Sequence, residues 1–153
     1  MKKSATYLLC VLLVELAGFA VGMLTAEGTR LYADSIVKPP LSPPGIVFPI
    51  AWTLLYALMA IGLARMLLSP APHGAAVVLF FVQLALNLAW CFIFFGAQRF
   101  DLALAELLLM AAAVVAMTIQ FARVDRTAAW LQLPYLVWLC FATYLNIGVL
   151  VLN

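Results

Sequence analysis

The residues with the most chemical potential in this chain are polar groups set within apolar runs. Gln83, Asn87, Trp90 and Phe94 recur at three- and four-residue spacing. At about 100° per residue they share one helical stripe. Phe48, Trp52, Tyr56 and Met59 form a second such stripe, and Trp138, Ala142 and Asn146 a third, spaced by four. Flat aromatic walls with a few amide and indole donors suit a flat apolar guest. The same stripes suit helix packing and interfacial anchoring, a reading that Trp130 fits well. Asn87 and Gln83 need partners inside hydrocarbon, so they face the bundle interior, as helix cross-links or as ligand contacts.

Two carboxylates lie within apolar runs, Glu15 and Glu106. Intramembrane acids are candidates for function. Glu106 is little more than a turn from the Arg99/Asp101 loop, within reach of headgroups. Glu15 shares a face with Gly18, Gly22 and Ala26, where "GFAVG" matches the GxxxG pattern of close helix approach and dimerisation. No chain of acids makes a proton relay. His73, the single histidine, falls in the loop "SPAPHG" and reads as a solvated loop residue rather than a haem ligand. Cys10, Cys91 and Cys140, an odd number without close spacing, read as packing thiols, with neither a disulfide framework nor a metal site expected. No nucleophile–base pair is evident, so no catalytic residue is assigned.

The elements that must position these groups follow from composition. Of 153 residues, 68% are hydrophobic and 9% charged, against about 25% charged in a soluble domain. Water would not solvate such a surface, so the chain reads as an all-α, multi-pass membrane protein. The net charge of +2 carries no basic run, and nucleic acid is not an expected partner. Five apolar runs are long enough to span a bilayer, at about 4–26, 46–68, 75–97, 102–122 and 128–152. The last three connections are short, which predicts an up-down bundle in one domain over 1–153. The basic start and apolar middle of the first run also fit a cleaved signal peptide. Glu15 and the length of the run favour a span.

Lys2, Lys3, Arg65, Arg123 and Arg126 fall on one side and Arg30, Lys38 and Arg99 on the other, which predicts a cytoplasmic N-terminus. Pro134, inside the fifth run, predicts a kink near Trp138. The long first loop, 27–45, carries "KPPLSPPGIVFP", whose prolines stiffen it. Ser42 offers a cap or turn, and Pro49 falls where the next helix begins.

Taken together, "KPPLSPPGIVFPIAWTLLYALM", "QLALNLAWCFIFFGAQR" and "LPYLVWLCFATYLN" resemble the TspO/MBR family of tryptophan-rich sensory and translocator proteins. The likeness runs over nearly the whole chain and is clearest from Lys38 onward. It implies a five-helix bundle, a homodimer in a cell membrane of bacterial type, and a pocket for porphyrin or haem-type tetrapyrroles or drug-like aromatic ligands. The first loop would be the lid of that pocket. No cofactor is required by this reading. The family's pocket positions fall on Trp52, Tyr56, Asn87, Trp138 and Ala142, and the stripes add Phe48, Gln83, Trp90 and Phe94. The lid would comprise Arg30, Lys38, Pro39, Leu41, Pro43 and Pro44, with Arg30 and Lys38 attracting propionates. Leu41 stands where the family usually carries a loop tryptophan, so a lid-side stacking residue is missing. No basic residue follows Tyr144, the animal sterol pattern is incomplete, and sterol binding is not expected. The resemblance implies binding and sensing or transport. Light- and oxygen-dependent porphyrin breakdown, with Trp52 and Trp138 redox-active, is the enzymatic alternative, and a ligand-free membrane scaffold is the third.

Overall fold

A computed structural model describes residues 3–153, so Lys2 of the charge comparison lies outside the described residues. Every regular element among them is a helix. The order is α1 (Lys3–Leu24), α2 (Ala26–Ser35), α3 (Val47–Leu67), α4 (Gly74–Cys91) running into a π-helical turn (Phe92–Gly96), α5 (Phe100–Val124), α6 (Arg126–Trp130) and α7 (Leu133–Leu152). Five stretches are long and apolar enough to cross a membrane: α1, α3, α4 with its π turn, α5, and α6 with α7. The protein is a multi-pass integral membrane protein. Its outward surface carries large apolar side chains on every span, among them Leu13, Phe19, Leu54, Phe81, Leu109 and Val137. In a bilayer these face lipid at no cost, so interior packing rather than hydrophobicity distinguishes the two sides of each helix.

The interior is built from small and flexible residues. Met59, Ala60, Ala64, Met66, Phe80, Met110, Val114, Met117 and Phe121 are shut away from the surface. Unbranched methionines fill irregular gaps between helices, and alanines let backbones approach. Gly18 is such an approach: a β-carbon there would lie 2.2 Å from the Tyr56 ring. The first glycine of "GFAVG" thus serves the α1–α3 contact within one chain, whereas Gly22 has open space around it.

Two expectations are corrected. The first loop is not irregular throughout, because Ala26–Ser35 form α2. Its polar sequence hides an amphipathic turn pattern in which Tyr32 meets the π turn. Pro134 does not kink a continuous helix. It occupies the first turn of α7, where its missing N–H has no carbonyl to serve. The break falls at Leu131–Gln132, between α6 and α7.

The basic residues divide between the ends of the bundle as their positions in the chain suggest. Arg65, Arg123 and Arg126 cluster at the α3–α4 and α5–α6 end, and Arg30, Lys38 and Arg99 at the end of the first loop.

Candidate functional site

The stripe on α3 and the stripe on α7 meet. The Trp52 ring lies 5.3 Å from Tyr56, 6.2 Å from Tyr135 and 6.2 Å from Trp138, centroid to centroid. Phe48 closes on Trp138 at 6.0 Å, edge to face. Edge-to-face pairs at these distances add roughly 0.5–1.5 kcal/mol each beyond burial. Ala142, one turn along α7 from Trp138, is half-buried against the same core.

Polar groups cross-link this aromatic set to α4. The Tyr56 hydroxyl donates to Asn87 Oδ1 (2.7 Å), and Asn87 Nδ2 donates to the Tyr135 hydroxyl (2.8 Å). That hydroxyl in turn donates to Gln83 Oε1 (3.0 Å) and lies 3.4 Å from Met110 Sδ. Gln83 is fully buried and Asn87 is 2% exposed. The chain ties α3, α4 and α7 together, with α5 touching it through Met110. Both amides therefore act as helix cross-links, and each keeps its place at the back of the aromatic set.

Tyr135, the centre of this network, was not singled out in the sequence. The signal was available: it precedes Trp138 by three residues and Ala142 by seven, on the same face of α7.

Phe94 belongs to a different group, and Trp90 packs against both it and the main core. The Trp90 and Phe94 rings stack at 4.5 Å, and Phe94 also meets Tyr32 at 5.4 Å, Phe95 at 5.0 Å and Phe100 at 5.0 Å. The π turn is responsible. Its wider winding carries Phe94 toward α2 and the start of α5, away from Trp52 and Trp138. A β-carbon at Gly28 would fall 2.1 Å from the Phe95 carbonyl oxygen, so α2 lies directly on this turn. Burial in this cluster pushes the Tyr32 hydroxyl above the ordinary phenol range.

The proline segment after α2 is strapped to the far end of α7. Pro39 is buried in a notch over Gly148, where a β-carbon would come within 2.4 Å of the proline ring. Tyr144 donates its hydroxyl to the Pro40 carbonyl (2.7 Å). The Asn153 side chain accepts from Val37 N–H and donates to Val37 C=O, both at 3.0 Å. Ser42 forms a turn rather than a helix cap, donating to Pro39 O at 2.8 Å. Lys38 Nζ donates to Ala33 O and lies 5.6 Å from the Tyr32 ring centre. Arg30 and Pro44 are exposed, and Pro43 is half-buried. Leu41 is 82% exposed and holds φ 65°, a left-handed conformation that disfavours side chains with a β-carbon. It points away from the bundle and makes no wall.

An aromatic ladder on α7 joins the strap to the interior: Trp138 to Phe141 at 5.7 Å, and Phe141 to Tyr144 at 6.3 Å. On the outer side of Trp138, between α3 and α7, a groove of about 520 Å³ is lined by Ala51, Leu54, Leu55, Leu58, Pro134, Val137, Trp138 and Phe141.

A five-span helical bundle is the arrangement the sequence resemblance implied, and comparison with known proteins decides the family. The TspO/MBR family model matches residues 10–152. This chain belongs to the TspO/MBR family. Among its relatives, the tryptophan-rich protein TspO of Chlorobaculum tepidum is 38% identical over 99% of this chain and 98% of that protein. The tryptophan-rich sensory protein of Cereibacter sphaeroides is 39% identical over 78% of this chain and 75% of its own length. The human translocator protein is 43% identical over 78% of this chain and 73% of its own length. The first of these is matched along nearly its full length and the other two along about three quarters of theirs.

Proposed function

We propose that this protein binds a tetrapyrrole of the porphyrin or haem type at the aromatic set of α3 and α7, as a membrane receptor of the sensory or translocator kind. The observation that carries this reading is the convergence of Trp52, Trp138, Tyr56 and Phe48 around the Asn87–Tyr135 hydrogen-bond chain. Three features favour a flat aromatic guest. Ring faces and edges supply the apolar contact such a guest needs. The groove of about 520 Å³ on the outer side of Trp138 gives the set an apolar approach from the lipid face, between α3 and α7. The ladder through Phe141 and Tyr144 couples the set to the strap, where Lys38 supplies positive charge for propionates. The five spans carry no inverted repeat, which favours binding and sensing over alternating-access transport.

The test is a titration of protoporphyrin into the detergent-solubilised protein in the dark, read by tryptophan fluorescence. Saturable quenching is expected, with Trp138→Phe weakening it about five- to tenfold by removing the indole that walls the site. The reading fails if the parent protein shows no saturable quenching. A product that forms only on illumination, and is lost in Trp138→Phe, would replace it with porphyrin breakdown. The Trp52–Trp138 contact makes that second outcome worth measuring.

A further inference from the structure

The two ends of the bundle differ in charge. At the strap end, Arg30, Lys38 and Arg99 are matched in number by Glu27, Asp34 and Asp101. At the other end, Lys3, Arg65, Arg123 and Arg126 stand against Asp125 alone among the described residues. Arg65 takes Asp125 at 2.7 Å, and the other ion pair among the described residues, Arg99–Asp101, belongs to the strap end. Arg123 and Arg126 are thus exposed cations outside either ion pair.

Arg126 is set apart from Arg123 by what lies beside it. A groove of about 340 Å³ is lined by Thr118, Ala122, Arg126, Ala129, Trp130 and Leu133. The local sequence builds it. Thr118 and Ala122 are four residues apart on α5, and Arg126 and Trp130 four apart on α6, so each pair shares a helix face. Ala122 and Ala129 are small enough to leave a hollow between them. Trp130 is 68% exposed and forms an outer wall. The Thr118 hydroxyl donates back to Val114 O at 2.8 Å, so the deeper part of the groove offers no free hydroxyl proton. Its charge sits at the rim, on Arg126.

The class of occupant follows from the groove's place. It opens outward from a membrane-spanning bundle, where the surrounding medium is lipid rather than water. An acyl chain is the natural filling, and the headgroup is what remains to be selected. Exposed tryptophan at the end of a span marks the headgroup level. A phosphate at that level meets a guanidinium suited to paired, charge-assisted hydrogen bonds. The carboxylate next in sequence does not compete, because Asp125 is engaged by Arg65 and by the backbone of Thr127 and Ala128. A zwitterionic headgroup brings a cation to an end already rich in cations. A net anionic headgroup is attracted by the whole of it.

We propose that the groove between α5, α6 and the start of α7 is a binding site for an anionic phospholipid. Arg126 holds the phosphate beside the Trp130 ring, and an acyl chain lies over Ala122, Ala129 and Leu133. The site is on the outside of the bundle, apart from the aromatic set of α3 and α7, and its occupancy is independent of any ligand there.

The experiment reconstitutes the full-length protein in phosphatidylcholine vesicles that hold a minor fraction of phospholipid brominated on its acyl chains. The brominated lipid is either phosphatidylglycerol or phosphatidylcholine. Bromine quenches nearby indoles, and the Trp130 signal is the difference between the parent protein and Trp130→Phe. The anionic lipid is expected to outcompete the zwitterionic one about fivefold. Arg126→Gln should bring the two within about twofold. Arg123→Gln removes the same charge outside the groove and should keep most of the preference. Both side chains are exposed, so thermal unfolding should be unchanged in either variant. Equal quenching by the two lipids overturns the proposal, as does a preference that survives Arg126→Gln. A preference lost equally in both variants reports diffuse surface charge and overturns it as well. If inorganic phosphate abolishes the preference where sodium chloride of the same ionic strength does not, the occupant is free phosphate and the lipid site falls. Protection of Trp130 from both brominated lipids would assign this face to a second copy of the chain and overturn the proposal.

Discussion

At one end of the bundle, Asp125 divides its carboxylate between two tasks. Oδ1 accepts from the backbone N–H groups of Thr127 and Ala128 and caps α6, while Oδ2 takes Arg65 of α3 at 2.7 Å. At the other end, the strap is held to α7 by the Pro39–Gly148 contact, the Tyr144 hydroxyl and the Asn153 amide. The first end is closed by charge on short connections. The second is closed by neutral hydrogen bonds and shape, spanning more than a hundred residues of sequence. A neutral latch is indifferent to pH and salt. The charged clasp ties the end of α3 to the short α5–α6 connection, 60 residues on in sequence.

The contrast is broken most severely at the notch. Gly148→Val places a side chain where Pro39 already lies, and overpacking of this kind costs about 1–3 kcal/mol. The strap should lift while the bundle persists. Limited proteolysis checks this: cleavage within residues 36–46 should rise severalfold, with no matching rise at the α5–α6 connection. Cleavage at both places alike would mean that the strap is not a separate unit.

A similar but smaller loss is expected at the clasp from Asp125→Ala, which removes a cap and an ion pair together. Capping contributes about 1 kcal/mol and the part-exposed pair only a few tenths. Thermal unfolding in detergent should shift accordingly, with strap proteolysis unchanged. Acid should mimic the variant weakly. Partial burial pushes the Asp125 carboxyl up, but hydrogen bonds from Ala128 and Arg65, with the Arg65 charge, outweigh it and leave the carboxyl below its usual range. Its contribution is fully present above the unfolded value near 3.9 and is lost as pH falls through the lower folded value. Hydrogen exchange across pH 5 to 2 should show Thr127 and Ala128 losing protection before Val37 does. Early loss at Val37 would refute the assignment of the charged fastening to the Asp125 end.

The mildest change is Tyr144→Phe, which deletes one neutral hydrogen bond from the latch, about 0.5–1.5 kcal/mol. It should raise strap proteolysis modestly, and at pH 7 and pH 4 alike.

Much of this was readable without coordinates. The five apolar runs, the inward stripe of Trp52, Tyr56 and Met59, and the burial of Gln83 and Asn87 all follow from hydropathy and a helical period, because a bilayer leaves polar side chains one place to go. Other features were not readable. Trp90 and Phe94 continue the stripe of Asn87 on paper, yet the π turn shifts Phe94 into contact with Tyr32 and Phe100. One extra residue in a helical turn leaves no mark in the pattern of residue types. Tyr135 became the hub of the polar network only because α4 delivers Asn87 and Gln83 to it from 48 and 52 residues away in sequence, with Tyr56 of α3 held to Asn87.

The sequence by itself determined that this chain spans a membrane five times, which family it belongs to, and which faces turn inward. Each depends on local hydrophobicity and spacing, quantities that a single helix carries alone. Tertiary structure decided which inward groups find one another. It satisfied Asn87 between Tyr56 and Tyr135, left the Glu106 carboxyl buried without a partner rather than among the headgroups, and set Pro39 over Gly148. Hydrogen-bond satisfaction and steric fit belong to pairs of helices, and no helix specifies its partner's register by composition alone.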